Sequence, residues 1–250
     1  MHIENGTYVE QELIYAINNK KYKDLSNNCK YIVREIFPFP DDEAMVYCEH
    51  AADYTKPDIV ITMNGESHYV SIKTGSAIGV HQEVIYNFCN FLRTIGISEE
   101  TITTILLFHY GDGTIDGSGQ IRMPYEHLAY IYADRVKRAN YELNKDKAIV
   151  KLVIDRLLFK GAKEENIPAE YIYHGNLDYG VIASKTQIMK HIDRKAWSYI
   201  TRFHIGPICF RPHARYVDRP VKDKWSRDKA DFEWFKMYND IEYISRRYNG

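Results

Sequence analysis

The sequence predicts an α/β fold, a central mixed β-sheet flanked by helices, with a basic extension toward the C-terminus. Three observations predict it. Segments of helical and strand periodicity are interspersed along the chain, an Asn-Gly dipeptide joins two β-rich runs, and positive charge gathers in the last third. The 250 residues are 45% hydrophobic and 27% charged, ordinary for a folded protein, which excludes wholesale disorder. No apolar run approaches the roughly 20 residues of a membrane span. The start, Met1-His2-Ile3-Glu4-Asn5, lacks the basic-then-apolar layout of a signal peptide. Cys29, Cys48, Cys89 and Cys209 lie far apart with no CxxC pair, arguing against a disulfide scaffold and a cysteine-based zinc finger. A cytoplasmic protein without a membrane partner is the expectation.

Taken in order, Thr7 can cap a helix to about Lys20, with Val9, Leu13 and Ile17 at helical spacing. A second helix covers Asn28 to Ile36 and stops before Pro38 and Pro40. A hairpin follows at Lys56–Gly75, and an amphipathic helix runs from Val80 through Ile85, Phe88, Leu92 and Ile95. Thr101 to Tyr110 is β-branched and apolar, which reads as a buried strand ended by the glycine-rich loop 111–119. Pro124–Asn140 and Lys147–Phe159 read as helices. Tyr171–His174 and Tyr179–Ala183 are short strands, and Ser184 caps a basic helix through Lys195. Tyr199–Val217 reads as two strands broken at Gly206-Pro207, and Asp223–Arg247 as a terminal amphipathic helix. A core over residues 1–165 and a basic region over 166–250, separate or part of the same domain, is the expected organisation.

The hairpin carries the chemistry. Asn64-Gly65 is the strongest short-range hairpin signal. A two-residue loop sets Asp58 opposite Ser71 and diagonal to Lys73; a four-residue loop sets Asp58 opposite Lys73. In either register Asp58, Ser71 and Lys73 share one face, while Ile59, Ile61, Val70 and Ile72 line the other. A carboxylate and an ammonium close together on a sheet can seat a divalent cation and stabilise charge on a phosphate. The plain alternative is a cross-strand ion pair worth about 0.2–1 kcal/mol.

Pro57-Asp58, the turn, and Ser71-Ile72-Lys73 resemble the PD-(D/E)xK nuclease core found in type II restriction endonucleases, in its PD…SxK…E variant. The resemblance implies a restriction-endonuclease-like core and a Mg²⁺-dependent endonuclease (Mn²⁺ a substitute) cutting double-stranded DNA as a homodimer. By that resemblance Asp58 and Glu83 bind metal with the Ile72 carbonyl, Lys73 stabilises the transition state, and Ser71 supports it. Glu83 stands in for the carboxylate that Ser71 replaces; the variant's glutamate falls about a helical turn later, at Asn87 here. The family often carries another acid on its first helix, Glu10 or Glu12 here. Two other readings share these residues: a defence nuclease acting on RNA or modified DNA, and a nucleic-acid-binding protein whose nuclease core has decayed.

The net charge of −1 hides an asymmetry, since residues 185–230 hold twelve Lys/Arg against four Asp. Such a tract is the footprint of a polyanion partner, or else a solvated face. Arg202, Arg211, His213, Arg215, Lys222 and Lys224 are the candidate nucleic-acid contacts, Arg211 and Arg215 suiting guanine edges or phosphates. The loop 111–119 lacks the bidentate glutamate of an EF-hand and the Gly-Lys-Ser/Thr of a P-loop, and reads as a flexible turn. Cys48-Glu49-His50 is too sparse for a zinc site.

Overall fold

The computed structural model describes residues 6–52, 55–75, 79–119, 121–162, 167–198, 202–213 and 224–248. It is an α/β structure with a six-stranded mixed sheet, a four-stranded antiparallel sheet and flanking helices. The chain divides into two compact units, each built around one sheet. The first comprises residues 1–78, 158–194 and 236–250, the second residues 79–157 and 195–235. Each unit is thus assembled from discontinuous segments, and the chain passes between them after residues 78, 157, 194 and 235.

In the first unit, α1 (Gly6–Ile17) precedes β1 (Lys20–Lys21), and α2 (Asn27–Ile36) is capped by Ser26, whose Oγ accepts from the Cys29 amide. Thr7 lies inside α1 rather than capping it, and the helix ends three residues before Lys20. Then come β2 (Met45–His50), β3 (Ile59–Met63) and β4 (Glu66–Lys73). The sheet order is β1-β2-β3-β4-β6-β7, where β6 is Tyr171–Gly175 and β7 is Gly180–Ser184. Among the described residues of this sheet, only the β4–β6 pair is parallel. Val9, Leu13 and Ile17 of α1, with Ile32, Val33 and Ile36 of α2, bury against Val46, Cys48, Ile59, Ile61, Val70 and Ile72 of the sheet. Each such side chain contributes about 1.5–3 kcal/mol when fully buried. The alternation in β4 is thus fixed: Val70 and Ile72 face this core, and Ser71 and Lys73 face away from it. After β7, α8 (Lys185–Arg194) starts with a capping box, the Ser184 hydroxyl accepting from Gln187 N–H while the Gln187 side chain accepts from Ser184 N–H. Helix α10 (Met237–Tyr248) packs on β6, β7 and α8.

The second unit begins with β5 (Gly79–Val84), α3 (Ile85–Thr94) and α4 (Glu99–Tyr110). Two expectations are corrected here. Residues 80–84 form a strand, paired antiparallel with β10 (Lys229–Glu233), so the helix begins only at Ile85. Thr101–Tyr110 is a helix, not a strand. Ser98 accepts from the Thr101 amide at its start, Glu99 and Glu100 meet the positive end of the helix dipole, and Gly111 ends it with a left-handed φ of 63°. Helices α5 (Tyr125–Ile131), α6 (Ala133–Lys145) and α7 (Lys147–Ile154) follow, and a π-helical turn, Asp155–Lys160, crosses the unit boundary. Strands β8 (Phe203–Ile205) and β9 (Ile208–Pro212) flank Gly206-Pro207 as expected. The expected C-terminal helix is interrupted: α9 (Lys224–Asp228) gives way to β10 before α10 starts. The glycine-rich loop is tied down, because Asp112, with a fully buried side chain, pairs with Arg227 and accepts from the Thr114 amide at 2.9 Å. Among the described residues no helix is long and apolar enough to cross a membrane.

Candidate active site on the Asn-Gly hairpin

The hairpin adopts the two-residue register. Met63 pairs with Glu66 and Ile59 with Val70, and the turn residues Asn64 and Gly65 have φ of 53° and 80°. Both central residues at positive φ is the requirement of a type I′ turn, which is why Asn-Gly encodes it. The ladder ends at Ile59–Val70, and Asp58 lies one residue beyond it. The backbone there is held from two sides: Asp58 N–H donates to the Val70 carbonyl at 2.9 Å, and its carbonyl accepts from Ala51 N–H at 3.1 Å.

Three of the expected residues meet in one cluster. Asp58 Oδ2 accepts from the Ser71 hydroxyl at 3.1 Å and from the Ile72 amide at 2.5 Å. Lys73 Nζ donates to Ser71 Oγ at 3.1 Å and to the Ile72 carbonyl at 3.1 Å. Ser71, fully buried, is therefore the hinge between acid and amine, accepting from one and donating to the other. Asp58 and Lys73 are half-buried, so both heads remain accessible. Asp58 Oδ1 accepts no hydrogen bond among the described residues.

Two further groups bear on this cluster. Glu10 of α1 is half-buried and makes no hydrogen bond among the described residues. Burial raises its pKa first, and the Asp58 charge adds to that rise, while His50 and Lys73 oppose it. These couplings put Glu10 and His50 within electrostatic reach of the hairpin acid and amine. His50 closes β2 opposite Ile59, one residue from Asp58 in the neighbouring strand. On the other flank, His174 of β6 stands beside Lys73 in the parallel register. The sequence offers Glu10 only as an alternative to Glu12, presents His50 only within a sparse Cys48-Glu49-His50 run, and gives His174 no signal. Their proximity comes from pairings of β3 with β2 and of β4 with β6, for which no local signal exists.

Among the described residues no three His, Cys, Asp or Glu side chains gather tightly enough to hold an ion unaided. A hard cation at Asp58 would instead draw on Oδ1, the Ile72 carbonyl, water and phosphate oxygens. That donor set suits Mg²⁺, which typically takes one or two carboxylates and keeps several waters.

Glu83 belongs to the second unit and lies on β5, not on a helix. Its carboxylate is bound from two sides: Arg156 reaches Oε2 at 2.7 Å and Oε1 at 3.2 Å, and His81 Nε2 stands 3.3 Å from Oε1. The side chain is 3% exposed. Burial pushes its pKa up, but His81 and Arg156 together outweigh burial and hold it below the ordinary value. Asn87, one helical turn farther on, is an exposed residue of α3.

The candidate nucleic-acid contacts divide. Arg202 is exposed, its guanidinium 4.8 Å from the Phe235 ring. Arg211 is committed to Glu233 at 2.6 Å and Asp231 at 2.8 Å, and His213 to Asp231 at 3.0 Å. Arg215 and Lys222 lie outside the described residues, and Lys224 opens α9. Internal pairing thus absorbs part of the positive charge counted along this tract. Comparison with protein-family models and with curated proteins returns no match for this chain.

Proposed function

We propose that this chain is a Mg²⁺-dependent endodeoxyribonuclease of the PD-(D/E)xK type, a restriction enzyme acting on double-stranded DNA. The observation that supports it is the hydrogen-bonded run Asp58–Ser71–Lys73 around the Ile72 peptide. A surface ion pair needs no such construction. Here the acid and the amine do not touch each other; a buried hydroxyl and a main-chain amide hold them apart, leaving one carboxylate oxygen open between them.

In this reading Asp58 Oδ1 and the Ile72 carbonyl hold the cation, with Glu10 as the second carboxylate, its raised pKa fitting an acid crowded by Asp58. The bound Mg²⁺ supplies charge neutralisation at the phosphodiester and lowers the pKa of an attached water. Lys73 donates to the phosphate oxygen on which negative charge grows and orients the attacking water. Ser71 fixes the Lys73 rotamer, and the Ile72 amide fixes Asp58. Glu83 keeps its Arg156 partner, because withdrawing it would leave a buried guanidinium unpaired. Cutting both strands calls for two such sites, hence a homodimer.

The test is nicking of supercoiled plasmid in Mg²⁺, with folded RNA as a parallel substrate. Lys73→Ala is expected to cut at least about a hundredfold more slowly, the usual cost of losing one transition-state donor, while DNA retention in EDTA is unchanged. Wild-type protein inert toward DNA in both Mg²⁺ and Mn²⁺, or a Lys73→Ala protein as active as wild type, overturns the proposal.

A further inference from the structure

A pocket of about 180 Å³ opens in the second unit, and none of the residues assigned to cleavage above is among those lining it. Its walls are aromatic: Phe108 of α4, Tyr125 of α5, Phe203 of β8 and Phe210 of β9. Phe203 and Phe210 stack at 5.2 Å and 19°, and Phe108 stands edge-on to Phe203 at 5.3 Å. A cavity of about 150 Å³ suffices for benzene, so this one suits a flat ring system.

The charged groups in the lining are Arg122, which donates to the His109 and Phe108 carbonyls, Arg202, Arg211 and Glu233. Glu233 is buried, and its Oε1 accepts from Arg211 Nε at 2.6 Å. Oε2 accepts no hydrogen bond among the described residues. Arg211 spends Nε and Nη1 on Glu233, Asp231 and the Pro212 carbonyl, leaving Nη2 without an acceptor among the same residues. Glu233 and Arg211 thus present acceptor and donor side by side at the pocket lining. At the exposed rim, Arg202 lies over Phe235 and donates to no acceptor among the described residues.

We infer that this pocket binds a guanine base. Guanine carries an acceptor, O6, next to two donors, N1–H and the N2 amino group, along one edge. A carboxylate takes the two donors while a neighbouring guanidinium reaches O6. The aromatic walls supply the apolar faces a base requires, as in pockets that read a single unstacked nucleotide. Arg202 is placed to meet the attached phosphate. Adenine and cytosine offer one amino donor beside a ring acceptor and leave part of the carboxylate unmatched. The inference stands independently of the cleavage chemistry.

The base can arrive in a free nucleotide or in a nucleic acid, and calorimetric titration of the full chain in EDTA separates the two. The probes are GMP, AMP and CMP, a thymidine oligonucleotide with one central guanine, and its all-thymidine control. GMP or the guanine oligonucleotide, or both, is expected to bind at least tenfold more tightly than its control. GMP alone binding identifies a nucleotide site; the oligonucleotide alone binding identifies a nucleic-acid site. Glu233→Gln should abolish the preference, and Arg202→Ala should weaken binding several-fold without altering the ranking. If Glu233→Gln fails to fold, the rim variants Arg202→Ala and Tyr125→Ala carry the test through the same loss of affinity. No guanine preference in the folded wild type, a preference that survives Glu233→Gln, or an affinity unchanged by Arg202→Ala and Tyr125→Ala, overturns the assignment.

Discussion

Replacing Glu83 with alanine separates a structural carboxylate from a metal ligand. In the folded protein the Glu83 side chain is 3% exposed and that of Arg156 15%, with two contacts of 2.7 and 3.2 Å between them. Arg156 also lies over Phe91 at 4.7 Å, so it cannot follow its lost partner into water without giving up that contact. Removing one member of a buried pair leaves the other charge uncompensated and costs about 3–5 kcal/mol. At roughly 2–4 °C per kcal/mol for a chain of this size, the melting temperature should fall by on the order of 10 °C. The double variant Glu83→Ala, Arg156→Met removes the orphaned charge and should recover much of the loss. Because the Glu83 pKa is held below its ordinary 4.5, the pair's contribution is present above that pH and fades as pH drops through the lower folded-state value. Urea denaturation at pH 7 and at pH 4 reads both effects. A Glu83→Ala protein within about 1 kcal/mol of wild type yet unable to cleave DNA would refute this reasoning and return Glu83 to the metal site.

Two further outcomes are expected. His109 donates from Nε2 to the Arg227 carbonyl at 2.9 Å, and burial first, then the nearby Arg122 and Arg227 charges, push its pKa down to about 3. The unfolded chain takes up a proton below about pH 6.5 that the folded one refuses. Stability should therefore fall by about 2 kcal/mol between pH 7 and pH 5, and His109→Gln should flatten that slope; an unchanged slope would count against it. All four cysteines are buried, and the thiols of Cys48, Cys89 and Cys209 are pushed up to about 12 by burial. A thiol-disulfide reagent at pH 8 should find no fast-reacting group until urea is added, and rapid labelling of the native protein would contradict the packing.

The hairpin was legible because its information is local. Asn64-Gly65 marks the turn but leaves a two- and a four-residue loop open, and the alternation of Ile59, Ile61, Val70 and Ile72 puts Asp58, Ser71 and Lys73 on one face in either register. The α4 helix was misread because Thr101, Ile102, Thr103, Thr104 and Ile105 favour strands, yet Ser98 and Gly111 mark both ends of a helix in the sequence. Cap signals outweighed the β-branched run there, with Thr104 Oγ turned back onto the Glu100 carbonyl at 2.7 Å. Strand β5 was missed for a different reason. Val80 and Glu83 are buried at a spacing that suits a helix, and the partner that makes this segment a strand is β10, far along the chain. The Glu83–Arg156 pair likewise joins distant segments, so no motif could have announced it. Strand β10 was more accessible: Ala230 and Phe232 alternate with polar neighbours, a strand pattern hidden inside a longer apolar periodicity.

The parallel pairing of β4 with β6 has a consequence for biosynthesis. During translation the flank of β4 that carries Lys73 remains without its neighbour until Tyr171 and the residues after it have left the ribosome. Until then that strand exposes a row of unsatisfied amides and carbonyls, the template on which nascent chains mispair. Closing so long a loop also slows the search for the native arrangement. Fragments ending before Tyr171 should accumulate as insoluble material, while chains extended through β7 become recoverable.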